Sequence, residues 1–280
     1  MTERDLSFKP VQNPSPRKLS ATQIDQYNTD GYLRPIDIFD GAEIERHREY
    51  FSSLLQKLTD LKDGRDAYAL NCYQTRCEGI WDLCTEPRIL DYVEDIVGPN
   101  IIAWASHYFC KLPHDGKRVP WHQDASYWHL TPARTVTAWI AIDDAEEENA
   151  AMKFIPGTHR AGHLKWREAE GDTVLNQEIT DPSRFGTPIY DCLTAGQISL
   201  HADMLVHGSD PNASSRRRCG LTIRYCPPEV RTTNPDWSVD SIIARGSDSS
   251  GHWNNNPRPI SDDLAKARVK YGKPKSIGGN

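Results

Sequence analysis

The segment Pro120-Trp121-His122-Gln123-Asp124 carries the sharpest chemical signal in the sequence. In an extended stretch, residues i and i+2 point to the same side, so His122 and Asp124 project together. A third group of the right kind, His207, follows 85 residues later within Asp203-Met204-Leu205-Val206-His207-Gly208-Ser209. Two imidazoles and one carboxylate on one face form the facial triad of non-haem Fe(II) oxygenases. Three protein ligands leave three octahedral positions open, as a co-substrate and O₂ require. A His-x-Asp tripeptide alone arises often by chance. With ten histidines in the chain, a surface or hydrogen-bonded role is the default for any one of them.

The residues after His207 raise the signal. Arg218 lies eleven residues further on, where a returning strand Cys219–Tyr225 begins. An arginine there could pair bidentately with a carboxylate in a partly dry site. A dicarboxylic oxo-acid chelating iron at one end needs such an anchor at the other. Arg216 and Arg217, by contrast, read as solvated loop charges.

The elements that must position these groups change character along the chain. Ser20 can cap a helix beginning ATQIDQYNTD, with Gln23 completing a capping box and Gly31 as its stop. Ala42–Thr59 places Ile44, His47, Tyr50, Phe51, Leu54, Leu55 and Leu58 on one helical face, and Pro87–Val97 predicts another short helix. From residue 100 the period becomes two. Ile101–Cys110 reads as a strand, and in Thr135–Ile142 the residues Val136, Ala138, Ile140 and Ile142 share one face, with Thr135, Thr137, Trp139 and Ala141 on the other. Gln197–Leu200 and Gly220–Tyr225 are further strands. Helices followed by many short strands and long loops predict an antiparallel barrel or sandwich braced by helices.

Composition bounds the alternatives. The 280 residues are 26% charged and 38% hydrophobic, which excludes a wholly disordered chain. Mean hydropathy is −0.66, and the longest apolar stretch, Ile101–Ala105, is far short of the ~20 residues a membrane-spanning helix needs. The first residues show no secretory pattern, so a cytoplasmic protein is expected. A formal charge of −6 argues against nucleic acid as a partner. Seven cysteines without a CxxC pair read as reduced thiols and not as a disulfide framework or a zinc site. Without a linker or repeat, residues 1–280 read as one domain, with 1–18 and 270–280 loosely ordered. A monomer or homodimer fits equally.

Taken in order, these blocks resemble the phytanoyl-CoA dioxygenase-like branch of Fe(II)/2-oxoglutarate-dependent oxygenases. The resemblance runs from Leu19 to Tyr225. It comprises Leu19–Gln23 through Tyr27, Asp30, Gly31 and Tyr32; Trp121-His122-Gln123-Asp124; Thr137-Ala138-Trp139-Ile140-Ala141-Ile142-Asp143-Asp144; Glu148-Asn149 with Ile155-Pro156-Gly157-Thr158-His159; and His207-Gly208-Ser209 through Asn212 to Arg218 and Tyr225. It implies a mainly β fold with flanking α-helices, a double-stranded β-helix (a jelly-roll, cupin-like barrel). By the family pattern His122, Asp124 and His207 bind Fe(II), and Arg218 with Ser209 holds the distal carboxylate of 2-oxoglutarate. Thr137 and Trp139 face that co-substrate, Gln123 points away, and His159 is structural. The expected reaction uses O₂ and converts 2-oxoglutarate to succinate and CO₂ while oxidising an unactivated C–H bond. Halogenating relatives carry Ala or Gly at the carboxylate position; Asp124 points instead to hydroxylation.

For the substrate, the expected neighbours are His107, Tyr127 and Trp128, joined by Asn71 and Gln74 from the helical region that folds over the entrance. An aromatic cluster of this kind can enclose an apolar or cationic group. A small or medium free metabolite is expected. Desaturation, epoxidation or ring formation would use the same cofactors. A metal-dependent hydrolase or isomerase on the same barrel would not need Arg218, and a non-catalytic barrel would be expected to lack a ligand or the anchor.

Overall fold

The computed structural model describes residues 4–264 of the 280. Helix α1 (Ala21–Asp30) starts at Ser20, whose side chain accepts from the Gln23 N–H while the Gln23 side chain returns to the cap. It stops at Gly31, which takes a left-handed φ of 87°. Helix α2 (Gly41–Asp60) begins on a second capping box, Asp40 with Glu43. Helices α3 (Glu78–Cys84) and α4 (Pro87–Val97) follow, α4 opening on a proline at its first position, where no N–H is needed.

The strands are β1 (Tyr32–Asp37), β2 (Ile101–Lys111), β3 (Val119–His122), β4 (Leu130–Thr131), β5 (Val136–Ala141), β6 (Met152–Phe154) and β7 (Trp166–Glu168). After them come β8 (Gln177–Ile179), β9 (Ile189–Asp191), β10 (Gln197–Ala202), β11 (His207–Ser209), β12 (Arg218–Cys226), β13 (Arg231–Thr232) and β14 (Ile242–Arg245). A short helix α5 (Asp124–Tyr127) interrupts them after β3. Six strands form one antiparallel sheet in the order β1-β10-β5-β12-β2-β14, and four form a second in the order β3-β11-β6-β9. This two-sheet arrangement is that of the expected jelly roll.

Period-two alternation divides the larger sheet cleanly. Val136, Ala138 and Ile140 of β5, Leu221 and Ile223 of β12 and Ile198 and Leu200 of β10 join the main core. Phe51, Leu54 and Leu58 of α2 and Ile89, Leu90 and Val93 of α4 belong to that same cluster. The opposite face carries Thr137 and Trp139, registered against His201 and Ser199 of β10 and against Arg224 and Thr222 of β12. The helices therefore buttress one face of the sheet, and the polar and aromatic residues of the other are left for the interior between sheets.

The N-terminal stretch departs from the expectation of loose order. Arg4 donates to the carbonyl of Ala125, Asp5 receives the Ala133 N–H, and the Phe8 ring meets His159 edge-on at 4.3 Å. The buried Asp95 carboxylate accepts the N–H groups of Arg17, Lys18 and Leu19. Hydrogen bonds and ring contacts that sequence spacing does not reveal tie residues 4–18 down. The expectation for 270–280 falls outside the described residues. Among the described residues no disulfide is formed, and six of the seven cysteines are buried. No helix among the described residues is long and apolar enough to cross a membrane.

Candidate metal centre

His122 ends β3 and His207 opens β11, and the antiparallel register sets them directly opposite each other. Their rings lie 4.1 Å apart, centroid to centroid. Gln123 remains extended (φ −110°, ψ 126°), so Asp124, at the start of α5, stays on the side of His122. The amide of Gln123 turns away, donating to the carbonyls of Gly162 and Met204 and accepting the Leu164 N–H. It braces two loops behind the centre.

His122, Asp124 and His207 are all buried, and one potential ligand atom from each lies within 4.8 Å of the others. Nε2 of His122 is 3.5 Å from Oδ1 of Asp124, and Nε2 of His207 is 4.0 Å from Oδ2. On the far side of each ring, Nδ1 faces a backbone carbonyl: Pro120 at 2.7 Å for His122, Leu205 at 2.9 Å for His207. A carbonyl only accepts, so each Nδ1 carries the proton and each Nε2 presents a lone pair to the shared space. This is the tautomer a metal needs.

The charges agree. Burial tends to raise the Asp124 pKa, but the imidazoles of His122 and His201, with His207 and Arg224, more than offset it and hold the carboxyl well below its usual range. Burial also pushes His207 well below an ordinary imidazole, keeping it neutral. An ionised carboxylate beside two imidazoles oriented in this way fits a divalent first-row cation.

A cavity opens at this centre. Ser209 and Arg218 line it, as does Trp139. Arg218 is only 2% exposed, donates to Oγ of Ser209 at 3.3 Å and leaves its Nε without a partner. Its guanidinium sits 5.7 Å from the centre of the Trp139 ring. Gly220 makes this arrangement possible, because a Cβ there would lie 2.0 Å from the Trp139 ring. Thr137 shares that sheet face, with a buried Oγ1 that has no partner. Arg216 and Arg217 are not free loop charges; they pair with Glu146 and Glu148 and with Asp143 respectively.

The expected substrate neighbours are placed outside the cavity lining. Gln74 is fully buried, its amide donating to the carbonyls of Trp104 and Asp240 and accepting from Ser106. Asn71 forms a bridge with His107, whose Nε2 donates to the Tyr68 carbonyl. Trp128 packs edge-on against Trp104, and the Tyr127 hydroxyl is engaged by the backbone of Gln177 although its ring is 5.8 Å from that of His122. None of the five lines the cavity. Tertiary hydrogen bonds occupy the polar groups of Gln74, His107 and Tyr127, and no sequence spacing shows that. The lining instead includes Phe109, His201, Thr222 and Arg224. Two-residue steps from Arg218 along β12 would have found Thr222 and Arg224. His201 required the β10–β5 register.

With this geometry in hand, known proteins can be compared. The model of the family described as phytanoyl-CoA dioxygenase (PhyH) matches residues 27–220. The chain is 25% identical to the peroxisomal phytanoyl-CoA dioxygenase of Bos taurus over 248 residues, 78% of this chain and 73% of that protein. Among solved structures it is similar to the non-heme monooxygenase ThoJ in its apo form, at 26% identity and a TM-score of 0.73, covering 85% of this chain and 88% of that one. It shares its fold with CytC3, determined with Fe(II) and alpha-ketoglutarate, at 21% identity and a TM-score of 0.62 over 84% of this chain and 91% of the other.

Proposed function

The chain belongs to the phytanoyl-CoA dioxygenase family of Fe(II)/2-oxoglutarate-dependent oxygenases, and on that premise we propose that His122, Asp124 and His207 hold the iron while Arg218 and Ser209 grip the distal carboxylate of 2-oxoglutarate. The observation that carries this assignment is the buried meeting of three ligand atoms, each imidazole fixed by its own carbonyl. When bound, Fe(II) and 2-oxoglutarate supply O₂ activation and the oxidation of an unactivated C–H bond, with succinate and CO₂ as co-products.

The chain's own residues do the rest. Asp124 fills the carboxylate position, which favours hydroxylation over halogenation. Arg218, buried beside Trp139, offers a guanidinium fork at the end of the cavity where Ser209 adds a hydroxyl. The Trp139 ring walls the co-substrate, while Thr137 shares its sheet face but lies level with Arg224 and outside the cavity lining. The substrate is read as a small free metabolite, bound in the cavity beside the co-substrate. The net charge of −6 disfavours nucleic acid, and seven cysteines without a disulfide among the described residues suit a reducing, cytoplasmic setting.

The test is O₂-dependent release of succinate from 2-oxoglutarate by the Fe(II)-loaded protein. Asp124→Ala removes the only acidic ligand of the triad and is expected to abolish it. Undiminished succinate release by D124A would remove Asp124 from the metal centre.

A further inference from the structure

We propose that Arg224 anchors the substrate through an oxyanion group, a carboxylate being the simplest, at the end of the cavity opposite Arg218. The inference rests on the assignment of Arg218 to 2-oxoglutarate given above.

Arg218, Gly220, Thr222 and Arg224 occupy alternate positions of β12 and all but Gly220 line the cavity. Six residues at ~3.3 Å each put the two arginine backbones about 20 Å apart, one at either end of the site. Arg218 stands at the Ser209 end. Arg224 stands level with Thr137, which is itself registered against His201. These are the two buried arginines among the described residues. Other arginines find acids: Arg217 binds Asp143, Arg134 binds Glu229, and Arg245 binds Asp91 and Glu94.

Arg224 does not. It is 8% exposed, its Nε is buried without a hydrogen-bond partner, and no acidic group among the described residues lies within ion-pair distance. Its guanidinium lies against the edge-to-face pair of Trp128 and Trp104, 5.2 Å and 5.8 Å from their ring centres. Cation–π contacts of this kind hold the cation in place without occupying its N–H donors. A buried, unpaired cation is costly, so a partner is expected when the site is filled.

Charge counting says which partner. A divalent iron, the 2-oxoglutarate dianion, Asp124 and Arg218 sum to zero across the cavity, with the imidazoles neutral. Arg224 adds one uncompensated positive charge. A substrate carrying one negative group restores neutrality; a neutral or cationic substrate does not. Trp128 thus bears on the substrate through Arg224, by holding the group that would bind it.

The test uses the protein loaded anaerobically with Fe(II) and 2-oxoglutarate, titrated with butanoate and benzoate and with their neutral amides, butanamide and benzamide. Binding is read by calorimetry. The acids are expected to bind wild type about ten-fold or more tighter than the amides, and Arg224→Gln to erase that preference. Absence of any preference in wild type, or its survival in R224Q, overturns the proposal. Should R224Q fail to fold, Arg224→Lys keeps the charge without the fork; it should weaken the acids several-fold and leave the amides unchanged, and equal effects on both would overturn the idea. The visible band of the Fe(II)–2-oxoglutarate chelate separates the two readings. If wild type lacks it, the cofactor assignment fails; if it is present without an acid preference, only the role of Arg224 falls.

Discussion

Backbone carbonyls aim each imidazole of the centre, Pro120 for His122 and Leu205 for His207, so the site is preorganised by peptide groups that point mutation leaves in place. Arg218 has no such redundancy. Its one hydrogen bond is to Ser209, and its Nε is unpartnered, as befits a group waiting for a carboxylate. Arg218→Ala is therefore expected to raise the KM for 2-oxoglutarate by roughly 30-fold or more, the equivalent of ~2–5 kcal/mol for losing a buried charged partner. An unaltered KM, measured from succinate release, would place the anchor elsewhere. These residues were legible because local spacing carries them: a two-residue step joins His122 to Asp124, and Arg218 starts the strand after His207. Gln74 lies apart from the cavity because its amide is claimed by backbone groups far off in sequence, such as the Asp240 carbonyl, and Asn71 because its backbone bridges to His107.

Strand β12 shows how one element serves core and site together. Cys219, Leu221, Ile223 and Tyr225 enter the main core, while Arg218, Thr222 and Arg224 face the cavity. Gly220 is the gap that admits the Trp139 ring. Gly220→Ala should overpack this contact at a cost of about 1–3 kcal/mol and, by displacing Trp139 from Arg218, weaken 2-oxoglutarate binding as well. Urea unfolding and a 2-oxoglutarate titration of the variant check both effects; an unchanged affinity would separate Trp139 from the co-substrate site. The long elements were readable for the same reason they are stable. The capping box of α1 and the alternation of β5 are strong local signals. Helix α3 starts at Cys77 with no side-chain cap, and β6 and β9 are three residues each, too short for a period to show.

At the scale of the molecule, neutral buried histidines couple the fold to pH. Burial pushes His107 down to about 3 and His159 down to about 4. The unfolded chain takes up these protons near pH 6.5, the ordinary imidazole value. The stability they contribute is complete above that pH and is lost as pH falls toward the folded values, by ~1.4 kcal/mol per pH unit for each group. Burial pushes the Asp203 and Asp191 carboxyls up to about 7 and about 6, so they gain stability as pH falls over the same interval and work the other way. The histidine contribution is therefore read by comparison, and the urea midpoint of wild type should fall more steeply from pH 7 to pH 5 than that of His107→Gln. Equal slopes in the two proteins would mean that the His107 ring takes up its proton as readily in the folded protein as in the unfolded chain. The attachment of residues 4–18 belongs to this scale too, since the Asp95 carboxylate gathers three N–H groups more than 75 residues away in sequence. Nothing local announces such a contact.

The account stands on a centre that binds Fe(II) and 2-oxoglutarate together, and anaerobic titration of both into the purified protein, followed by visible absorbance, tests it most directly. A weak metal-to-ligand charge-transfer band that appears only when both are present, and that is lost in the D124A variant, is the expected result. Metal binding without that band would contradict the assignment and show that His122, Asp124 and His207 hold a metal for some other chemistry.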